Sequence, residues 1–172
     1  MNELQTTRDD YRVAWFTALA ITIHVLESAL PSIIPGIKLG LANIVTIIVL
    51  FRYGWHMAVW VSLLRVLIGS ILIGTFLSPT FMLSFSGALA SIIVINVYRL
   101  PINLSPIGIS VLAAVAHITG QFYVAYLLFI PHDDLFLLLP ILMTMAIIVG
   151  IVNGIISKKL LQEMMKNDDR KS

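Results

Sequence analysis

The sequence predicts an all-α integral membrane protein, a single bundle of six transmembrane helices with both ends of the chain on the same side. Three observations carry this. Of 172 residues 59% are hydrophobic and 12% charged, with a mean hydropathy of +0.97, whereas an ordinary soluble domain carries ~25% charged residues. Apolar segments follow one another from residue 11 to residue 157, leaving no stretch for a soluble domain. Finally, an alternating topology with the amino terminus inside gathers Arg8, Arg12, Arg52, Arg99, Lys158, Lys159, Lys166, Arg170 and Lys171 on one face, nine of the eleven basic residues. Basic residues concentrate in cytoplasmic loops, so an even number of spans and cytoplasmic termini follow. The expected location is a cytoplasmic (inner) membrane, with lipid as the constant partner. The net charge of +2 and pI near 9.0 therefore reflect topology and imply no nucleic acid.

The first ten residues are polar and form a cytoplasmic arm. Segment one runs from Tyr11 to Leu30. Ala18 to Ala20 resembles a signal-peptidase box, but it lies inside the apolar run rather than after it, so the helix is retained. At ~100° per residue, Thr17, Ala20, His24 and Glu27 share one face, while Ala14, Ala18 and Thr22 form a small-residue stripe roughly 140° away. The first face suits a polar interior. The second suits close approach by another helix, in the bundle or in a partner.

Residues 31–43 (PSIIPGIKLGLAN) bring prolines, glycines, Lys38 and Asn43 into the hydrocarbon sequence. Proline lacks an amide donor and glycine tolerates positive φ, so the helix stops near Leu30 and the chain turns before resuming at Gly40. Irregular backbone is not left bare in lipid, which places this stretch at the interface or around a polar cavity beside Glu27. Segment two, Gly40 to Phe51, has about 12 residues where a span needs ~20, and is short or partly re-entrant, or borrows Ile37 and Lys38.

Segment three, His56 to Leu77, carries Arg65 between Ser62 and Gly69. Segment four, Thr80 to Tyr98, is crowded with Ser84, Ser86, Gly87, Ala88, Ala90 and Ser91. Segment five, Pro106 to Ile130, carries His117, Gly120 and Gln121 at i, i+3 and i+4. Segment six, Leu135 to Ser157, carries Asn153 and Gly150-x-x-x-Gly154, and residues 158–172 continue it into a fraying cytoplasmic tail. The small residues of segments four and six read as packing surfaces. Pro79 and Pro106 stand at segment starts, where a missing amide donor costs least. No internal repeat stands out, although three spans plus three is compatible with an inverted pair.

A charge within a span costs about 2.5 to 3.5 kcal/mol on insertion scales, so each asks for a reason. Counting ~1.5 Å per residue from the cytoplasmic ends, Arg65 and His117 lie about 14 to 17 Å deep, His24 near ~20 Å, and Gln121 and Glu27 roughly 22 to 24 Å. The functional reading is a cavity open to the outside in which Arg65, His117, Gln121 and His24 meet a small polar or anionic ligand, with Glu27, Lys38 and Asn43 at its mouth. The structural alternatives are an arginine capping helix carbonyls, a hydrogen-bonded histidine and a snorkelling glutamate.

No P-loop is present, so any ATP-driven step is supplied by other proteins. The four histidines lack metal-ligand spacing, no cysteine exists, and Asp133-Asp134 is followed by no further aspartate of the kind that binds magnesium diphosphate. No metal, no cofactor and no enzyme activity are expected.

The runs Pro35–Asn43 (PGIKLGLAN), Arg65–Gly69 (RVLIG), Ser84–Gly87 (SFSG) and Ala116–Gln121 (AHITGQ), followed by Ala125, resemble the Gx transporter family, also labelled heptaprenyl diphosphate synthase component I. That family is similar to the substrate-binding S components of energy-coupling-factor transporters. The resemblance implies a six-helix bundle that docks through small residues of its first helix, here Ala14 and Ala18, on a T subunit working with separate ATPases. Its enzyme label implies instead an accessory role in isoprenoid, menaquinone or flavin- and quinone-linked redox assembly.

Overall fold

The computed structural model describes residues 8–29, 40–99 and 104–170, all helical or in short turns. The helices are α1 (Arg8–Ala29), α2 (Ala42–Tyr53), α3 (Trp55–Ile73), α4 (Pro79–Ile95), α5 (Pro106–Leu128) and α6 (Leu139–Asp169), with 3-10 turns at Asn96–Arg99 and Asp133–Leu138. The protein is an all-α membrane bundle. Helices α3 and α5 and the helical stretches Pro79–Arg99 and Asp133–Asn167 are long and apolar enough to cross a bilayer. Helix α1 is 22 residues long but begins with Arg8, Asp9, Asp10 and Arg12, and α2 has 12 residues.

Helix α2 sits centrally. It is buried from Ala42 through Leu50 at all but Asn43, which accounts for an apolar pattern without one-sided periodicity. Gly54, with φ +93°, ends α2 and begins α3, folding the pair into a tight hairpin. Glycine is required there because a side chain rarely adopts that backbone region. Phe16, Ala20, Val45, Val49, Leu50, Met57, Val61 and Ile109 make one core cluster from α1, α2, α3 and α5.

The six helices alternate in direction, so the starts of α1, α3 and α5 share one end with the finishes of α2, α4 and α6. At this terminal end Arg12 lies over the Tyr53 ring and Arg99 over the Trp55 ring, each 5.1 Å from the centroid. Helices α4, α5 and α6 pack through small residues. A Cβ on Gly120 would lie 2.7 Å from the Ser86 carbonyl oxygen, and one on Gly150 2.8 Å from Val111 Cα. Ser86 and Ala90 of α4 and Gly150 and Gly154 of α6 thus form packing surfaces.

Several boundaries differ from the sequence reading. Helix α1 already begins at Arg8, ahead of the apolar segment at Tyr11. Helix α3 stops at Ile73 rather than Leu77: Gly74 turns left-handed at φ +76°, and Thr75 N donates to Ser70 O at 2.8 Å, the usual carbonyl satisfaction at a helix end. Helix α2 starts at Ala42 because Gly40 has φ +64°. The 3-10 turn delays α6 to Leu139, and α6 then runs unbroken to Asp169. The helix thus continues past Lys158 as the sequence implied, with Leu161 buried against Ile44 and Ile48.

Candidate functional site

Beyond the apolar core, toward the end away from the termini, the helices line a cavity of about 320 Å³. Every helix contributes: His24 and Glu27 from α1, Asn43 from α2, Arg65 from α3, Thr80 and Ser84 from α4, His117 and Gln121 from α5, Asn153 from α6. Ala114, Ile118, Leu142, Met145 and Val149 give it an apolar wall on α5 and α6. The volume lies at the lower end of small-molecule sites, and the mixture of apolar wall and few convergent polar groups is their usual composition.

The face of α1 predicted to turn inward does so. Thr17 and Ala20 are buried and His24 and Glu27 reach the cavity. Ala14, Ala18 and Thr22 are exposed on the other face, where the Thr22 hydroxyl donates to Ala18 O at 2.9 Å and so presents no unsatisfied donor.

Glu27 has a definite partner. Its Oε1 accepts from Leu41 N at 2.9 Å and its Oε2 from Ala42 N at 3.4 Å. These amides open α2, whose own N-cap, Leu41, has no side-chain acceptor. A carboxylate there satisfies orphan donors and meets the positive end of the helix dipole. Glu27 is therefore a structural cap as much as a cavity wall.

Arg65 is only 5% exposed. Its Nη1 donates to Asn43 Oδ1 at 2.9 Å, while Nε is buried with no hydrogen-bond partner among the described residues. No carboxylate of the described residues forms an ion pair with it. A buried guanidinium with donors unused is costly unless an anion completes it.

His117 Nε2 and Gln121 Nε2 lie 3.1 Å apart, and the imidazole rests on Gly87, where a Cβ would stand 2.7 Å from it. Gly87 thus makes room for the histidine. The structure brings His24, Glu27, Asn43, Arg65, His117 and Gln121 to one cavity; Lys38 lies outside the described residues.

Asn153 and the Thr80/Ser84 pair were read from sequence as packing or not weighed at all. Asn153 is 3% exposed and donates to Gly40 O at 3.2 Å, tying α6 to the turn before α2. An asparagine inside an otherwise apolar span was the available signal for it. Thr80 and Ser84 stand four apart on α4 and face the cavity together. No group of three or more histidine, cysteine, aspartate or glutamate residues capable of holding a metal occurs among the described residues.

A multi-pass α-helical membrane protein with a polar cavity between its helices is the class that this fold and site define. Residues 16–160 match the family described as Heptaprenyl diphosphate synthase component I, and the chain belongs to that family. No curated protein and no solved structure matches it significantly.

Proposed function

We propose that the protein is a membrane-embedded solute-binding subunit of a transporter, similar to the S components of energy-coupling-factor systems. It takes up a small polar or anionic molecule across the bacterial cytoplasmic membrane and itself catalyses no reaction. The observation that carries this reading is Arg65, a buried cation at a cavity wall whose contact partner is the neutral Asn43. An arginine needed only for architecture would be expected to meet a carboxylate or several helix carbonyls. The energising partner, a T subunit with ATPases, would dock on the outward face of α1 around Ala14, Ala18 and Thr22, which are exposed.

The family description, a component of heptaprenyl diphosphate synthase, favours a second reading, a non-catalytic membrane accessory in isoprenoid synthesis. The two readings separate experimentally. Small molecules co-purifying with the detergent-extracted protein are identified by mass spectrometry and returned to stripped protein in thermal unfolding. A ligand at 100 times its Kd stabilises by about 2.7 kcal/mol. Arg65→Met should erase that stabilisation while leaving the ligand-free midpoint nearly unchanged, and His117→Ala or Gln121→Ala should weaken it. Ligand stabilisation surviving in Arg65→Met would refute the assignment. Co-purification of a polyprenyl synthase subunit with no small-molecule ligand would favour the second reading.

A further inference from the structure

A second cavity of about 200 Å³ adjoins the first, between α1, α3 and α4 at the end away from the termini. The two share His24, Val66, Thr80 and Ser84, so they are neighbouring chambers along one wall. The lining of this annex is rich in hydroxyls: Ser28, Ser70, Thr75, Thr80 and Ser84. Immediately outside, the surface is apolar, with Leu72 66% and Leu77 73% exposed. Hydroxyls grouped behind an apolar surface are disfavoured in contact with lipid and favoured in contact with water or a polar solute.

Elsewhere around the main chamber the described residues are packed or hydrogen-bonded to one another. Toward the termini lies the packed core, with Ile47, Val61 and Ile109 at most 2% exposed. At the chamber's floor the α5 and α6 backbones touch, since a Cβ on Gly154 would lie 2.6 Å from Ile107 Cα. Beside α2 the bonds from Glu27 and Asn153 hold the turn at Gly40 and Leu41 in place. Toward the annex, by contrast, the wall is His24, whose ring rests on Gly69, and the pair Thr80 and Ser84. The Ser70 hydroxyl is engaged by Leu67 O at 2.8 Å. Those of Thr80 and Ser84 make no hydrogen bond among the described residues.

We infer that solute reaches the Arg65 chamber through this hydroxyl-lined annex, from the end of the bundle away from the termini, and that route and end point together select small water-soluble oxyanions. Thr80 and Ser84 offer donors to the oxygens of a carboxylate, sulfonate or phosphate as it sheds water. Arg65 then supplies the charge. A cation meets no free carboxylate at the end of this path, because both Glu27 oxygens face α2 amides. This inference deepens the solute-binding reading and rests on it.

The chain contains no cysteine, so single cysteines report access directly. Ile118→Cys places a thiol in the main chamber and Thr75→Cys one in the annex. The probes are two methanethiosulfonates in proteoliposomes, one bearing a sulfonate and the other a trimethylammonium group. The sulfonate reagent should modify both positions. Ser84→Phe, which fills the shared wall, should slow Ile118→Cys at least tenfold and leave Thr75→Cys unchanged; Thr80→Phe serves as a second plug where Ser84→Phe fails to fold. Modification of Ile118→Cys at an unchanged rate in a folded plugged variant overturns the route. Relative to Thr75→Cys, Ile118→Cys should favour the sulfonate over the ammonium reagent at least tenfold, and Arg65→Gln should bring the ratio to about one. Equal rates in the protein with Arg65 intact overturn the anion selection and the solute-binding reading with it. Failure of the route and failure of the reading thus appear in different measurements.

Discussion

At Glu27 both carboxylate oxygens are engaged by the first turn of α2, and at Arg65 one nitrogen is engaged by Asn43. The two opposite charges face one cavity without touching. This arrangement predicts how substitutions combine. Glu27→Gln keeps one acceptor but removes the charge at a helix N-terminus, so stability should fall by about 1 to 3 kcal/mol. Adding Arg65→Met should recover none of it, because the lost partner is the α2 backbone. A structural ion pair would behave otherwise, the double variant regaining much of the loss as no unpaired charge remains. Equilibrium unfolding in detergent of the two single variants and the double variant decides; recovery in the double variant would sink the capping role.

Among the elements, α1 and α2 have opposite characters. Helix α2 is short yet needs no length to match the bilayer, because its neighbours surround it, with Ile156, Leu161 and Met164 of α6 packed in one cluster with its Ile44 and Ile48. Helix α1 divides its surface, with Thr17 and Ala20 buried and Ala14, Ala18 and Thr22 exposed beside Trp15. Since Ala18 points away from the bundle, Ala18→Trp should leave the unfolding free energy within about 0.5 kcal/mol of its original value. It should nevertheless abolish partner co-purification or uptake, because a bulky ring holds two helices apart and forfeits their dispersion contacts. Loss of folding in this variant would mean that the stripe packs internally. The two faces of α1 were legible in sequence because Thr17, His24 and Glu27 repeat at helical spacing. The ends of α3 and α6 were less so, since apolar residues continue past Gly74 and before Leu139 and only backbone geometry separates helix from turn there. The partner of Glu27 was not legible, because a carboxylate capping another helix through bare amides leaves no side-chain pattern. Nor was the role of Asn153, whose acceptor at Gly40 lies 113 residues away. The annex draws single hydroxyls from separate elements, and no local run of sequence announces it.

For the molecule as a whole, polar chemistry and apolar packing occupy opposite ends. The terminal end holds Phe16, Tyr53, Trp55 and Tyr98 with Arg12 and Arg99 over two of those rings. Aromatic rings and basic residues of this kind settle at a membrane interface, and the basic ones favour the cytoplasmic side. The far end holds both cavities and the Pro131–Asp134 turn, where Tyr126 donates to Asp133 Oδ1 at 3.1 Å. A cavity at that end faces outward only if the terminal end faces the cytoplasm, so topology and direction of uptake are one question. Cysteines introduced singly at Asn2 and Asp133 into this cysteine-free chain should be labelled by an impermeant thiol reagent from opposite sides, Asp133→Cys in intact cells and Asn2→Cys only after permeabilisation. Labelling of both in intact cells would break the alternation of spans. Labelling of Asn2→Cys alone would invert the bundle, turning the annex toward the cytoplasm and the proposed uptake subunit into one that receives its solute from inside.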